Sequence, residues 1–324
     1  MISLDHYRNA FMQHLEAVAK DRQPDNLYDP VRYILTLGGK RLRPLLTLVS
    51  CDFFGRPFEE AMDAAVAIEV FHNFSLVHDD IMDQAPLRRG KATVHTKWDL
   101  NTGILSGDAM LILAYRYFEN YPPEVFRELA KLFSQTALEV CEGQQYDIDF
   151  ETRTDVRLEE YIKMIEFKTA VLLGAAMKMG AQVAKASDSC CESIYQFGKN
   201  LGIAFQLQDD YLDAFGDPET FGKQVGGDIL SNKKTFLYIQ AMASANPQQH
   251  KELTHYFSLT DMEDYGKVEA VKALFEATGA ASAIKEEIAR YTELANSELE
   301  RVKLADDKKE ALRQFGAMLM KRSV

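Results

Sequence analysis

The apolar positions of this 324-residue chain repeat at helical intervals. Leu4, Tyr7, Phe11, Leu15 and Val18 advance in steps of three and four, as do Val66, Val70, Phe74, Val77 and Ile81, and then Ile194, Phe197, Leu201 and Phe205. Such steps line one side of a 3.6-residue turn and predict helices. No run alternates strictly between apolar and polar residues, so strands are at most minor. All nine prolines lie at or before Pro247 and none lies between Pro123 and Pro218, which leaves room for long helices. The breaks at Pro24–Pro30, Gly55–Pro57, Pro86–Gly90, Pro122–Pro123, Gly216–Pro218 and Gly226–Gly227 are too short for flexible linkers. The pattern predicts an all-α fold and a single domain over residues 1–324, with roughly ten helices at average helix and turn lengths.

Two acidic clusters break this regularity. Asp79-Asp80-Ile81-Met82-Asp83 closes one predicted helix, and Asp209-Asp210-Tyr211-Leu212-Asp213 closes another. Residues four apart share a helix face, so Asp79 projects with Asp83 and Asp209 with Asp213. Like charges one turn apart repel, and the C-terminal end of a helix already carries partial negative charge. A solvated helix end accounts for one such cluster; two, each set in an apolar stripe, ask for a compensating cation. Carboxylate oxygens suit hard divalent ions, and Mg²⁺ in particular is shared between one or two carboxylates and a phosphate.

Charge and composition change the picture in one respect. With 37 Lys and Arg against 49 Asp and Glu, the net charge is −12, which argues against a nucleic-acid binder that works through a broad basic face. Setting the six clustered aspartates aside halves that figure, so much of the acidity is the metal-free count of the two clusters. No apolar run approaches the roughly 20 residues of a membrane helix, and the N-terminal residues lack a basic-then-apolar signal. The four cysteines, Cys51, Cys141, Cys190 and Cys191, fit no zinc pattern and read as reduced thiols of a cytoplasmic protein.

The clusters have a cationic complement. Gly38-Gly39-Lys40-Arg41-Leu42-Arg43 sets three cations behind a glycine pair, and Arg88-Arg89-Gly90 follows the first cluster. Lys168-Thr169 lies in an apolar helical stretch, and Gly222-Lys223 and Lys233-Lys234 lie near the second cluster. Glycine lets the backbone approach an anion, and arginine offers two parallel bonds to phosphate. Arg41 and Lys234 read as solvated surface charges, and Lys168 alone could be a snorkelling side chain. Together the acidic and basic segments describe a site for a diphosphate held by Mg²⁺. No Walker loop or G-x-G-x-x-G points to a nucleotide.

The order Gly39-Lys40-xx-Arg43-Pro44, His72, Asp79-Asp80-xx-Asp83, Arg88-Arg89-Gly90, Lys168-Thr169 and Phe205-Gln206-x-Gln208-Asp209-Asp210-Tyr211-Leu212-Asp213 resembles the trans-isoprenyl diphosphate synthases, the family of farnesyl and geranylgeranyl diphosphate synthases. The resemblance runs from residue 38 to residue 235. It implies long, mostly antiparallel helices around a deep central cavity, a homodimer, and head-to-tail condensation of isopentenyl diphosphate onto an allylic diphosphate. It further implies three Mg²⁺ ions held directly by Asp79, Asp83 and Asp209, with Asp80, Asp210 and Asp213 acting nearby or through water. Arg88, Lys168, Lys223 and Lys233, with Gln206, would hold the allylic diphosphate. Gly39, Lys40, Arg43, His72 and Arg89 would hold isopentenyl diphosphate. Lys168, Thr169 and Gln206 would steady the allylic cation. Lys321 and Arg322 could close over a diphosphate, as basic tails do in relatives, or be disordered, which is the preferred reading.

Product length should follow from the cavity floor. Phe74 and Ser75 precede Asp79 by five and four residues, roughly 6–8 Å along a helix, and Phe71 lies one turn deeper. An aromatic ring blocks a growing chain and a serine leaves room; for Phe71, plain core packing is the other reading. In the family, one aromatic followed by a small residue goes with geranylgeranyl products, so geranylgeranyl diphosphate is expected ahead of farnesyl diphosphate. A class I terpene cyclase fits worse, because its second metal motif is not another aspartate-rich D-D-x-x-D. A non-catalytic subunit fits worse too, because no motif is missing.

Overall fold

The protein is described here by a computed structural model covering residues 4–18, 20–217, 225–259 and 265–320. Helices occupy nearly all of it, in the order α1 Asp5–Leu15, α2 Asp25–Thr36, α3 Leu42–Phe53, α4 Met62–Met82, α5 Val94–Lys97, α6 Leu100–Phe118, α7 Pro123–Thr152, α8 Leu158–Ile165, α9 Val171–Val183, α10 Asp188–Phe215, α11 Gly227–Leu230, α12 Phe236–Ser244, α13 Pro247–Tyr256, α14 Tyr265–Ala277, α15 Ala280–Arg301 and α16 Asp306–Met320. The number exceeds the expected ten because several elements are one or two turns long, and the apolar period cannot resolve pieces that short.

The helix ends follow local chemistry. Pro123 opens the 30-residue α7, where its missing N–H costs no bond. Ser187 caps α10 through Cys190 N (3.4 Å), and Asn246 and Gln249 cap α13 reciprocally. The only strands among the described residues are the two-residue pair β1 Leu87–Arg88 and β2 Lys91–Ala92, antiparallel with Arg88 opposite Lys91. Arg89 (φ 54°) and Gly90 (φ 73°) turn between them, the left-handed pair a tight hairpin needs.

Two apolar cores form. One gathers α1–α4, α6, α7, α9, the N-terminal half of α10, the C-terminal end of α15 and α16, with much of α4 buried. The other gathers Phe150 at the end of α7, α8, the C-terminal half of α10 (Ile203, Leu207, Ala214) and α11–α15. Helix α10 therefore belongs to both. The first aspartate cluster ends α4 in one core, and the second ends α10 in the other. Among the described residues no helix is long and apolar enough to cross a membrane.

Candidate active site

A cavity of about 580 Å³ is lined by residues of α7, α8, the turn after α8, α10 and the segment from α11 to α12, with Asp83 from the end of α4. Asp83, Lys168, Thr169, Gln206, Asp210 and Lys233 are among its lining residues, so one wall draws on each aspartate cluster. Lys168 and Thr169 sit in a wider five-residue turn, Glu166–Ala170, between α8 and α9. Such π-turns rotate side chains out of the helical stripe and recur at functional sites. Helix α7 can approach this turn only because residue 143 is glycine: a Cβ there would lie 2.3 Å from Lys168 N. That contact brings in Asp147, which the sequence reading did not single out. Its Oδ2 accepts from Lys168 Nζ at 2.5 Å, and the same ammonium lies 3.5 Å from Asp79 Oδ1. Lys168 is thus an ion-paired site residue, not a snorkelling one. Burial works against its charge, yet Asp147, Asp79 and Asp83 outweigh that and hold its pKa above the ordinary lysine value.

In the first cluster, Asp80 is 1% exposed. Arg88 donates to its Oδ1 from Nε and Nη2 (2.8 and 2.6 Å) and reaches Asp79 Oδ2 at 3.3 Å. Burial raises the Asp80 pKa against the opposing pull of Arg88. Burial also raises that of Asp83, with help from Asp79 and against Lys168 and Lys233. In the second cluster, Asp210 is buried and accepts from Tyr161 Oη and from Gln206 Nε2 (3.3 Å). Burial, then Asp228, push its pKa well above the carboxylate range. Thr169 Oγ1 donates to Gln206 Oε1 at 3.4 Å. Asp213 Oδ2 accepts from Asp228 N (2.9 Å), so it caps the first turn of α11. Of the residues expected to act near the metal, Asp80 is bonded by Arg88 and Asp213 holds the start of α11.

The residues present fit a cation. Asp79 Oδ1 and Asp80 Oδ2 are buried with no hydrogen-bond donor. Among the described residues no three acid, His or Cys side chains form a ready metal cluster. Open carboxylate oxygens of this kind suit a hard divalent ion such as Mg²⁺, which takes one or two carboxylates and completes its shell with phosphate oxygens and water.

A second basic group lies behind the hairpin. Arg88 ends β1, and Arg89 is the first left-handed residue of the turn. Arg88 turns to the aspartates, and Arg89 turns to the glycine loop, donating to Gly38 O and lying where a Cβ on Gly39 (φ 121°) would come within 2.9 Å of it. Arg43 Nη1 stands 3.2 Å from His72 Nε2. Burial, then Arg43, keep the His72 pKa well below its ordinary value, so the ring is neutral. The Arg43 Nε is buried without a partner. Lys40 is exposed beside this group. Two surface-charge readings are corrected. Arg41 is 5% exposed and paired with Glu69, and Lys234 Nζ holds the carbonyls of Phe150 and Glu151 at 2.9 Å each. Lys223, Gly222, Lys321 and Arg322 lie outside the described residues.

Phe74 is 9% exposed on α4, its ring 5.5 Å from that of Phe71. Phe71 packs against Phe133 at 5.0 Å, as the core-packing reading expects. Ser75 Oγ donates to His72 O (2.8 Å). None of the three lines the cavity just described.

The model of the polyprenyl synthetase family matches residues 24–275. The chain belongs to the polyprenyl synthetase family. A geranylgeranyl pyrophosphate synthase of Geoglobus acetivorans is 37% identical over 299 residues, 89% of this chain and 88% of that one. A geranylfarnesyl diphosphate synthase of Natronomonas pharaonis is 39% identical over 266 residues, 74% of this chain and 78% of that one. The crystal structure of a geranylgeranyl pyrophosphate synthase superposes with a TM-score of 0.94 at 53% identity, covering 100% of both chains. The fold is the all-α isoprenoid synthase fold of these polyprenyl synthases, and the chain is a prenyltransferase. Members of the family are generally Mg²⁺-dependent.

Proposed function

We propose that this prenyltransferase condenses isopentenyl diphosphate head-to-tail with an allylic diphosphate and stops at geranylgeranyl diphosphate. One observation carries the two-substrate reading: adjacent arginines on one tight hairpin serve two separate basic groups, Arg88 beside the aspartates and Arg89 beside Arg43 and His72. Asp79, Asp83 and Asp209 would hold three Mg²⁺ ions, with Asp210 nearby. Bound there, Mg²⁺ would offset the charge that develops on the departing diphosphate. Lys168, Lys233 and Arg88, with Lys223, take the outer oxygens of the allylic diphosphate. Thr169 Oγ1 and the Gln206 amide place dipoles beside the cation, and closure of the cavity excludes water from it. Gly39, Lys40, Arg43, neutral His72 and Arg89 bind isopentenyl diphosphate. Phe74, backed by Phe71, limits chain length, and Ser75 gives the extra room for a C20 product.

Mass spectrometry of products from purified protein with isopentenyl and dimethylallyl diphosphates decides the matter. Geranylgeranyl diphosphate formed only with Mg²⁺ is expected. A farnesyl or geranylfarnesyl end product overturns the chain length, and no Mg²⁺-dependent product overturns the reaction.

The active unit is proposed to be a homodimer. Leu105 and Ile112 on α6 and Leu138 on α7 are 59%, 60% and 57% exposed, an apolar face that a second copy would cover. Light scattering should give twice the 36.7 kDa chain mass, and a monomer at working concentration refutes it. All four cysteines are free, three of them buried, which suits the reducing cytoplasm.

A further inference from the structure

Arg41 does not behave like its neighbours. It is a non-glycine residue with left-handed backbone (φ 51°) at the start of α3, and its side chain is 2% exposed. Its guanidinium is spread between two buried acceptors, Glu69 Oε1 on α4 and the carbonyl of Leu35 near the end of α2. Glu69 is equally buried, and the same Oε1 takes a bond from Asn73 Nδ2 at 2.9 Å. One turn along α4 from Glu69 stands His72, against Arg43.

The electrostatics single out Glu69. It is the carboxylate that acts on Arg43, opposing the effect of burial there. It acts on Arg89 as well, second only to Arg41 among the charges felt there. An unpaired carboxylate at this position would bond Arg43 or Arg89 and compete with any diphosphate. Arg41 occupies it instead, from a left-handed backbone position at the start of α3.

We propose that the Arg41–Glu69 pair is a positioning device for the second substrate. Arg41 retains the Glu69 carboxylate, and Arg43 and Arg89 are thereby left available for the diphosphate of the non-allylic substrate. Neither Arg41 nor Glu69 touches that substrate. The proposal rests on the reading of Arg43, His72 and Arg89 as the isopentenyl diphosphate site.

The test is a kinetic cycle on the full chain with isopentenyl and geranyl diphosphates, read as KM and kcat separately. Arg41→Met frees Glu69, and the KM for isopentenyl diphosphate should rise about 10-fold or more, as expected for a charge acting at short range in a partly buried site. The KM for geranyl diphosphate and kcat at saturation should stay within about 3-fold, because a group acting on one substrate's binding alone leaves both nearly unchanged. Adding Glu69→Gln to Arg41→Met removes the competitor and should restore the KM; a purely structural pair would leave the double variant no better. An unrestored KM, or equal changes for both substrates, overturns the proposal while leaving the site reading in place. Arg43→Met is the control for that reading: if it leaves the isopentenyl diphosphate KM unchanged, both readings fall. Should Arg41→Met not fold, Glu69→Gln alone carries the test. It should bind inorganic diphosphate about 3-fold more tightly or better, since it removes a repelling charge, and weaker binding overturns the proposal.

Discussion

The two aspartate clusters share a spacing but not a solution to their charge. The first, at the end of α4, is held by cations: Arg88 bonds Asp80 twice, and Lys168 spans Asp79 and Asp147. In the second, at the end of α10, Asp210 accepts from the neutral donors Tyr161 and Gln206, and Asp213 accepts from the backbone N–H of Asp228. The difference follows from the cores they belong to. The α4 end faces the hairpin and the π-turn, both basic, whereas the α10 end faces α8 and α11, which offer a phenol, a helix start and a further acid. In the first cluster, then, cations bond Asp79 and Asp80, and in the second, neutral groups bond Asp210 and Asp213.

That contrast can be broken most directly at the donors. With Mg²⁺ chelated, Arg88→Met leaves Asp80 buried and unpaired and should cost about 3 kcal/mol of folding stability. Tyr161→Phe removes one bond to Asp210 while Gln206 remains, and should cost about 1.5 kcal/mol. Chemical denaturation of the two variants compares them, and a Tyr161→Phe loss as large as that of Arg88→Met would erase the distinction.

A smaller effect lies in pH. Burial raises the folded pKa of Asp210, so the folded protein holds a proton there that the unfolded chain has released above about pH 4. Its stabilising contribution is complete below that pH and is lost as pH rises toward the folded pKa, by at most about 1.4 kcal/mol per unit. Asp210→Asn, which does not titrate, should gain on the parent protein between pH 4.5 and 6.5 in chelator. The Asp80→Asn variant should gain less, because Arg88 opposes the rise at that site. Melting temperatures that track the parent across the range for Asp210→Asn remove Asp210 as the source.

Much of this was legible beforehand, for reasons tied to particular residues. Positions such as Val66, Val70 and Phe74 announce a buried helix because a 3.6-residue period leaves few other arrangements. The clusters at Asp79 and Asp209, and the segments around Gly39 and Lys168, were readable because their chemistry is dense over a few residues. Asp147 was not, since it is one acid in an acidic helix. Its only signal is Gly143, a glycine inside a helical run, which implies close packing without saying against what. The segment Pro86–Gly90 reads as a chain break and a basic motif, but nothing in it shows that residues 89 and 90 both take positive φ and close a hairpin. The burial of Arg41 was misread because charge predicts exposure wherever the partner is unknown, and its partner lies 28 residues away.

By itself the sequence determined the fold class, the placement of both acidic clusters at helix ends, and the class of ligand that such clusters and the basic segments would hold. These depend on period and local composition, which act over a few turns. Only the tertiary structure decided which carboxylates stay open and which are occupied, that Arg88 and Arg89 diverge to two basic groups, and that Glu69 is claimed by Arg41. Those outcomes depend on which side of a helix meets which neighbour, and a buried charge takes the nearest adequate partner because leaving it unpaired away from water is costly.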